Sequence, residues 1–365
     1  MGRSVFFALA VSAAIVVTPV AMTASSSSAA SPPSASPPVR SAAALPVHQH
    51  KTAFRAATNG DCEFDVTADV KLTADVSCFV QVLAENVTIN LNHHTISGFI
   101  SATKGTTLRN GTITAPFYAP FAPDVTVDHV VATGVETSDP SAVTVGPNSV
   151  IRYSHFVNNG GAIDLFFGGD GSTVLKNTFE GNGVGVWNNG AQDVNVVGNV
   201  FTGNTHAVTI GDEDGLAFES ARNQVVSNTF RDNVLGVNVV AFVGVRHLTV
   251  AHNRFIGNKA AGTSVFIACD QNSCGGAGMV VASNTFAQNG FQADTGDSNS
   301  GFFGSSNRLG TPTKAGMRHL VLADNEALAN AGLGIDALGA FDGGGNNARN
   351  NGDPRQCVGV VCVRR

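Results

Sequence analysis

The stretch Asn177-Thr-Phe-Glu-Gly-Asn-Gly-Val-Gly-Val186 constrains this chain more than any other, because it repeats. An Asn is followed by a Phe two residues on, by a second Asn three later, then by small residues and an aliphatic pair. The pattern returns as Asn199/Phe201/Asn204, Asn228/Phe230/Asn233, Asn253/Phe255/Asn258 and Asn284/Phe286/Asn289. Degenerate copies stand at Ser154/Phe156/Asn159 and Asn325/Ala327/Asn330. Successive Phe residues lie 22 to 31 positions apart. A period of that size, with strand-like residues in every copy, predicts a solenoid whose turns stack on one another.

The residues ahead of each Asn are aliphatic or β-branched: Val174-Leu175, Val196-Val197, Val225-Val226, Leu248 to Val250 and Met279 to Val281. Such residues favour extended, half-buried backbone, and their alternation turns one set inward. Stacked turn upon turn, the Phe residues are expected to form a buried aromatic column. The Asn residues are expected at bends, where Asn tolerates left-handed backbone and bonds to neighbouring main chain. Asn residues repeated at strand spacing can also bond one another as a ladder. A βαβ alternative needs amphipathic helices of about ten or more residues between strands, and no segment fits. Ahead of the regular copies, Ile96 and Ile113 stand only 17 apart, so the first coils are expected to be tighter.

Residues 5–20 are an apolar run after Arg3, followed by small residues, as in a secretory signal peptide; we place it at 1–30. Residues 31–57 read as a Pro/Ser/Ala-rich linker, and 58–365 as the folded domain. The mature chain then has no membrane span and is secreted or held at the cell surface. Six cysteines in an exported chain favour disulfides, and their clustering pairs Cys62 with Cys78, Cys269 with Cys274 and Cys357 with Cys362. Zinc is the weaker reading, since no His stands at ligand spacing beside those pairs. With 21 basic against 27 acidic residues and no basic run, nucleic-acid binding is disfavoured.

The segment Leu91-Asn-His-His-Thr-Ile-Ser-Gly98, the Asn-x-Phe-x-x-Asn repeats and the Gly343-to-Cys362 tail resemble secreted parallel β-helix proteins of the pectate-lyase-like superfamily. The resemblance implies an all-β, single-stranded, right-handed parallel β-helix, here of about ten coils; the handedness comes from the resemblance. It also implies an extracellular polysaccharide, acidic in kind, as partner of a monomer. Lyase, glycoside hydrolase and non-catalytic adhesive solenoid all remain open. The Arg-x-Pro-x-x-Arg segment of lyases is absent, as is the Asn-Thr-Asp, paired-Asp, Gly-His-Gly and Arg-Ile-Lys set of polygalacturonases. Val127-Asp128-His129 echoes a lyase segment and reads as coincidence.

Eight residues past each column Phe, the side chain should point outward, which selects Asp164, Trp187, Thr209, Asn238 and Asp294. Outward neighbours on stacked strands sit about 4.8 Å apart. Trp187 and Asn238 are therefore the expected sugar contacts, with Trp187 as stacking platform. Asp164, Asp212 and Asp214 are the candidate catalytic carboxylates, since a pair about 5–9 Å apart can cleave a glycosidic bond. Calcium could instead sit at Asp212 and Asp214, or among Asp294, Asp297 and Asn299. Three excursions, 211–222, the Cys269–Cys274 segment and 294–308, are expected to overhang one face.

Overall fold

The computed structural model describes residues 54–56, 62–136, 141–165, 168–211, 219–242, 244–269, 274–291, 299–308, 311–312 and 315–363. A typical rung contributes three short strands, as in Thr173–Leu175, Thr178–Glu180 and Val184–Asn188, and Ser220–Ala221, Val245–Arg246 and Gly276–Ala277 add a small parallel sheet of their own. Each strand pairs in parallel with its counterpart one rung on: Val174 opposite Val196, Phe179 opposite Phe201, Val186 opposite Val208. Three parallel sheets thus wrap one core. We number them first, second and third in the order the chain visits them. The third runs from Cys62–Val66 to Cys357–Val358 as an unbroken parallel path, with Phe54–Ala56 added antiparallel at its start. That first strand lies inside the segment assigned to the linker, so ordered backbone begins ahead of residue 58. Residues 1–53, with the expected signal peptide, lie outside the described residues.

The predicted columns form. Rings of Phe156, Phe179, Phe201, Phe230, Phe255 and Phe286 stack with centroids 4.5 to 5.0 Å apart and planes within 10° of parallel. All six rings are wholly buried. Gly236 and Gly262 face this column, and a Cβ at either would come within 2.7 Å of the ring of Phe255 or Phe286. The small residue in each copy is there to leave room for the ring.

Both amide columns form ladders. Asn177, Asn199, Asn228, Asn253, Asn284 and Asn325 each donate through Nδ2 to the next Oδ1 at 3.0–3.1 Å, down to Asn346. The second column runs from Asn159 through Asn182, Asn204, Asn233, Asn258, Asn289 and Asn330 to Asn351, at 2.8–3.0 Å. Asn228 typifies the bonding. Its Oδ1 accepts the backbone N–H of Asn199 at 2.8 Å, and its Nδ2 also donates to the Val196 carbonyl at 2.8 Å. These amides are buried and fully bonded, which is the condition for a polar core to be tolerated.

One expectation fails in detail. The left-handed residue at each bend is the one before the ladder Asn: Lys176, Ser227, His252 and Ser283 in the first column, Asp232 and Gln288 in the second. The kink there swings the following Asn inward, where its amide meets the rungs on either side. A second correction concerns 294–308. Phe302–Arg308 is a strand of the third sheet, with Ser264 opposite Phe303. The extra residues of that rung precede its third strand instead of following it.

All three cystines form as paired from the sequence. Among the described residues no helix is long and apolar enough to cross a membrane.

Candidate functional site

Strand alternation fixes which side chains of the third sheet face out. Ile163, Val186, Val208 and Val237 are buried in the core, so Asp164, Trp187, Thr209 and Asn238 point away from it. The register sets these four one per rung, in that order. Upstream the same row holds Asp65, Gln81, Ser101, Tyr118 and Thr144; downstream it holds Ser264, Phe303 and Asp336. Asp164 beside Trp187, with Asn238 two rungs on, is the arrangement expected from the repeat. Asp212 and Asp214 lie outside the described residues. So does Asp294, and the place expected for it belongs to Phe303, because the rung of Phe255 supplies Ser264 to this row.

Several polar atoms of the row have nothing to bond. Thr144 Oγ1, Trp187 Nε1 and Thr209 Oγ1 lack hydrogen-bond partners, as do both side-chain polar atoms of Asn189 just after Trp187. These atoms are buried, and an orphaned buried polar atom costs about 1–3 kcal/mol.

Aromatic side chains missed from the sequence lie beside the row, two residues ahead of Gln81 and Ser101. Phe79 and Phe99 stack at 5.8 Å and 13°, and Phe99 meets Tyr118 at 5.8 Å. Phe79 and Tyr118 are more than a third exposed. Their signal was outward placement on strands whose neighbours are buried, legible only once the register of the tight first rungs is known. Asp336 was also missed. It is half-buried, and burial raises its carboxyl above the usual range. Six rungs separate it from Asp164, on the order of 29 Å at strand spacing, far beyond the reach of an acid/base pair.

Stacked parallel rungs around an aromatic column, bounded by amide ladders, define a right-handed parallel β-helix protein. The family model described as right-handed beta helix region matches residues 121–300, in keeping with the pectate-lyase-like superfamily. Solved structures share the fold at low identity. A double mutant of the periplasmic alginate epimerase AlgG is 13% identical, covering 84% of this chain and 85% of that one, with TM-score 0.48. PfbA, a surface adhesin of Streptococcus pneumoniae, is 14% identical over 74% and 84%, TM-score 0.43. The Dettilon tailspike protein is 13% identical over 82% and 61%, TM-score 0.44. None of the curated proteins matches the chain in sequence.

Proposed function

We propose that this is an exported polysaccharide-binding β-helix whose third sheet receives an extended glycan along the row from Tyr118 to Asn238. The carrying observation is that row: one outward side chain per rung, aromatic at Tyr118 and Trp187, with Asn238 two rungs beyond Trp187. Aromatic faces stack on the apolar faces of sugar rings, while hydroxyls and N–H groups meet ring hydroxyls. The three cystines fit an oxidising compartment outside the cytoplasm.

The charge on this face favours a neutral glycan over the acidic one expected from the sequence. Its row carries Asp65, Asp164 and Asp336 and no Lys or Arg.

Trp187 is the chain's only tryptophan, so its fluorescence reports on the site directly. Titration with neutral oligosaccharides should perturb that emission, and Trp187→Ala should weaken binding by at least about ten-fold, measured calorimetrically. No response to any neutral or acidic oligosaccharide, with variant and wild type alike, sinks the proposal. Release of new reducing ends would make the row catalytic instead, with Asp164 as its acid.

A further inference from the structure

The bend between the first and second sheets carries a cluster unrelated to the third-sheet row. At each rung the residue in left-handed conformation projects outward from this corner. On three consecutive rungs these residues are His129, Tyr153 and Lys176. The His129 and Tyr153 rings lie 5.2 Å apart, and Lys176 Nζ sits 5.9 Å from the Tyr153 ring centre. The residue ahead of each bend forms a second outward row in which Arg109, Asp128 and Arg152 are register neighbours.

Asp128 organises the corner. Its Oδ2 accepts from Arg152 Nη2 at 3.2 Å, its Oδ1 lies 2.7 Å from His129 Nδ1, and it is only 19% exposed. The guanidinium of Arg152 also sits 5.9 Å from the Tyr153 ring centre, so ion pair and ring together hold it in place. Its Nε is buried and has no acceptor. Lys176 is exposed, and among the described residues no carboxylate comes within ion-pair distance of it. Three cations, Arg109, Arg152 and Lys176, thus face one carboxylate on a chain whose net charge is −6. A local excess of positive charge, with an oriented guanidinium and an uncommitted ammonium, is suited to an oxyanion.

We propose that this corner binds an oxyanion group, a carboxylate or a sulfate ester carried on a ligand, with Arg152 and Lys176 as its contacts and Asp128 as the residue that positions Arg152. The site is independent of the glycan row on the third sheet. The next corner position after Lys176 is Gly198, which leaves the ammonium uncovered on that side.

The test uses the whole folded chain and three probes: sodium sulfate, a galacturonate oligomer and a neutral cello-oligosaccharide. Calorimetry should detect the galacturonate oligomer, and sulfate should compete with it. Affinity should fall as ionic strength rises. Arg152→Gln and Lys176→Gln should each weaken binding about five-fold, the upper range for an exposed charge pair. Trp187→Ala should leave it unchanged. Binding of the oligomer that survives both corner substitutions, or that Trp187→Ala abolishes, overturns the proposal, as does failure of both sulfate and the oligomer to bind. Lys176 is exposed, so its substitution should not disturb folding, and an unaltered melting curve verifies that.

Discussion

The opening rungs and the repeated rungs build the same three-sheet section by different means. From Ser154 onward the bends are buried and sealed by amide ladders, and neighbouring ladder residues stand 21 to 41 positions apart in the chain. Between Cys62 and Thr133 the column that carries Phe downstream is aliphatic, with Ile96, Ile113 and Ala132 in register ahead of Phe156. Two bends of this region are closed by single acceptors nearer the surface. Asp69 Oδ1 takes the Thr88 N–H at 2.7 Å, and Asp75 Oδ1 takes the Thr95 N–H at 2.9 Å. The difference follows from water. An exposed bend needs one acceptor and solvent supplies the rest, whereas a buried bend needs a group that accepts from the rung before and donates to the rung after. The primary amide of Asn does that with two donors and two acceptor sites, whereas the hydroxyl of Ser154 at the head of the column has a single donor. The ladder also makes rung length irrelevant, so large insertions leave the axis undisturbed.

Substitutions can break that contrast. The largest loss is expected for Phe230→Ala, about 3–5 kcal/mol by denaturant unfolding, because the ring is wholly buried between two others. Asn228→Ala should cost about 3 kcal/mol, since it orphans the buried Asn199 N–H and cuts the amide contacts to Asn199, Asn253 and the Val196 carbonyl. Asp75→Ala, the matching change at an exposed bend, should cost no more than about 1 kcal/mol. Equal losses for Asn228→Ala and Asp75→Ala would refute the account of why the two regions differ.

The smallest effect is a pH dependence at the far end of the rod. Burial raises the folded-state pKa of Asp336 above its ordinary 3.8. The folded state then holds that proton more tightly than the unfolded state does. Stability is therefore lost as pH rises from 3.8 through the raised folded value, and Asp336→Asn should remove this loss at neutral pH. Asp353 has the opposite sign. Arg355 bonds its carboxylate and holds it at about 2, so its contribution is present above 3.8 and fades as pH falls toward about 2. Melting temperatures of wild type and Asp336→Asn across that range should diverge toward neutral pH; parallel curves would show that Asp336 ionises as freely folded as unfolded.

Much of the rod was legible because its columns are written as identities: Phe over Phe, Asn over Asn, Cys close to Cys. Trp187 beside Asp164 followed from the same counting. Counting fails where rung length changes. Phe303 reaches the outer row because its rung spends extra residues before the third strand, and no residue type announces which side of a strand an insertion occupies. The stack of Phe79, Phe99 and Tyr118 was hidden for the same reason, in rungs of irregular length. The Asp128–Arg152 pair was hidden differently. Twenty-four positions separate the two residues, and only the pairing of Thr126–Thr133 with Val150–Arg152 makes them neighbours. Left-handed backbone just ahead of each Asn was misassigned by one residue because Asn itself favours that conformation.

The second ladder has a terminus as well as a repeat. Below Asn351 the next acceptor is not another Asn but Gln356 of the same turn, whose Oε1 takes both donors of Asn351 at 2.9 and 3.0 Å. Its own Nε2 folds back onto the carbonyls of Asn351 and Asp353. A column of identical amides is a template that a second molecule could extend indefinitely, end on end. Gln356 closes that template from within, so this ladder offers an arriving copy no free amide to grip.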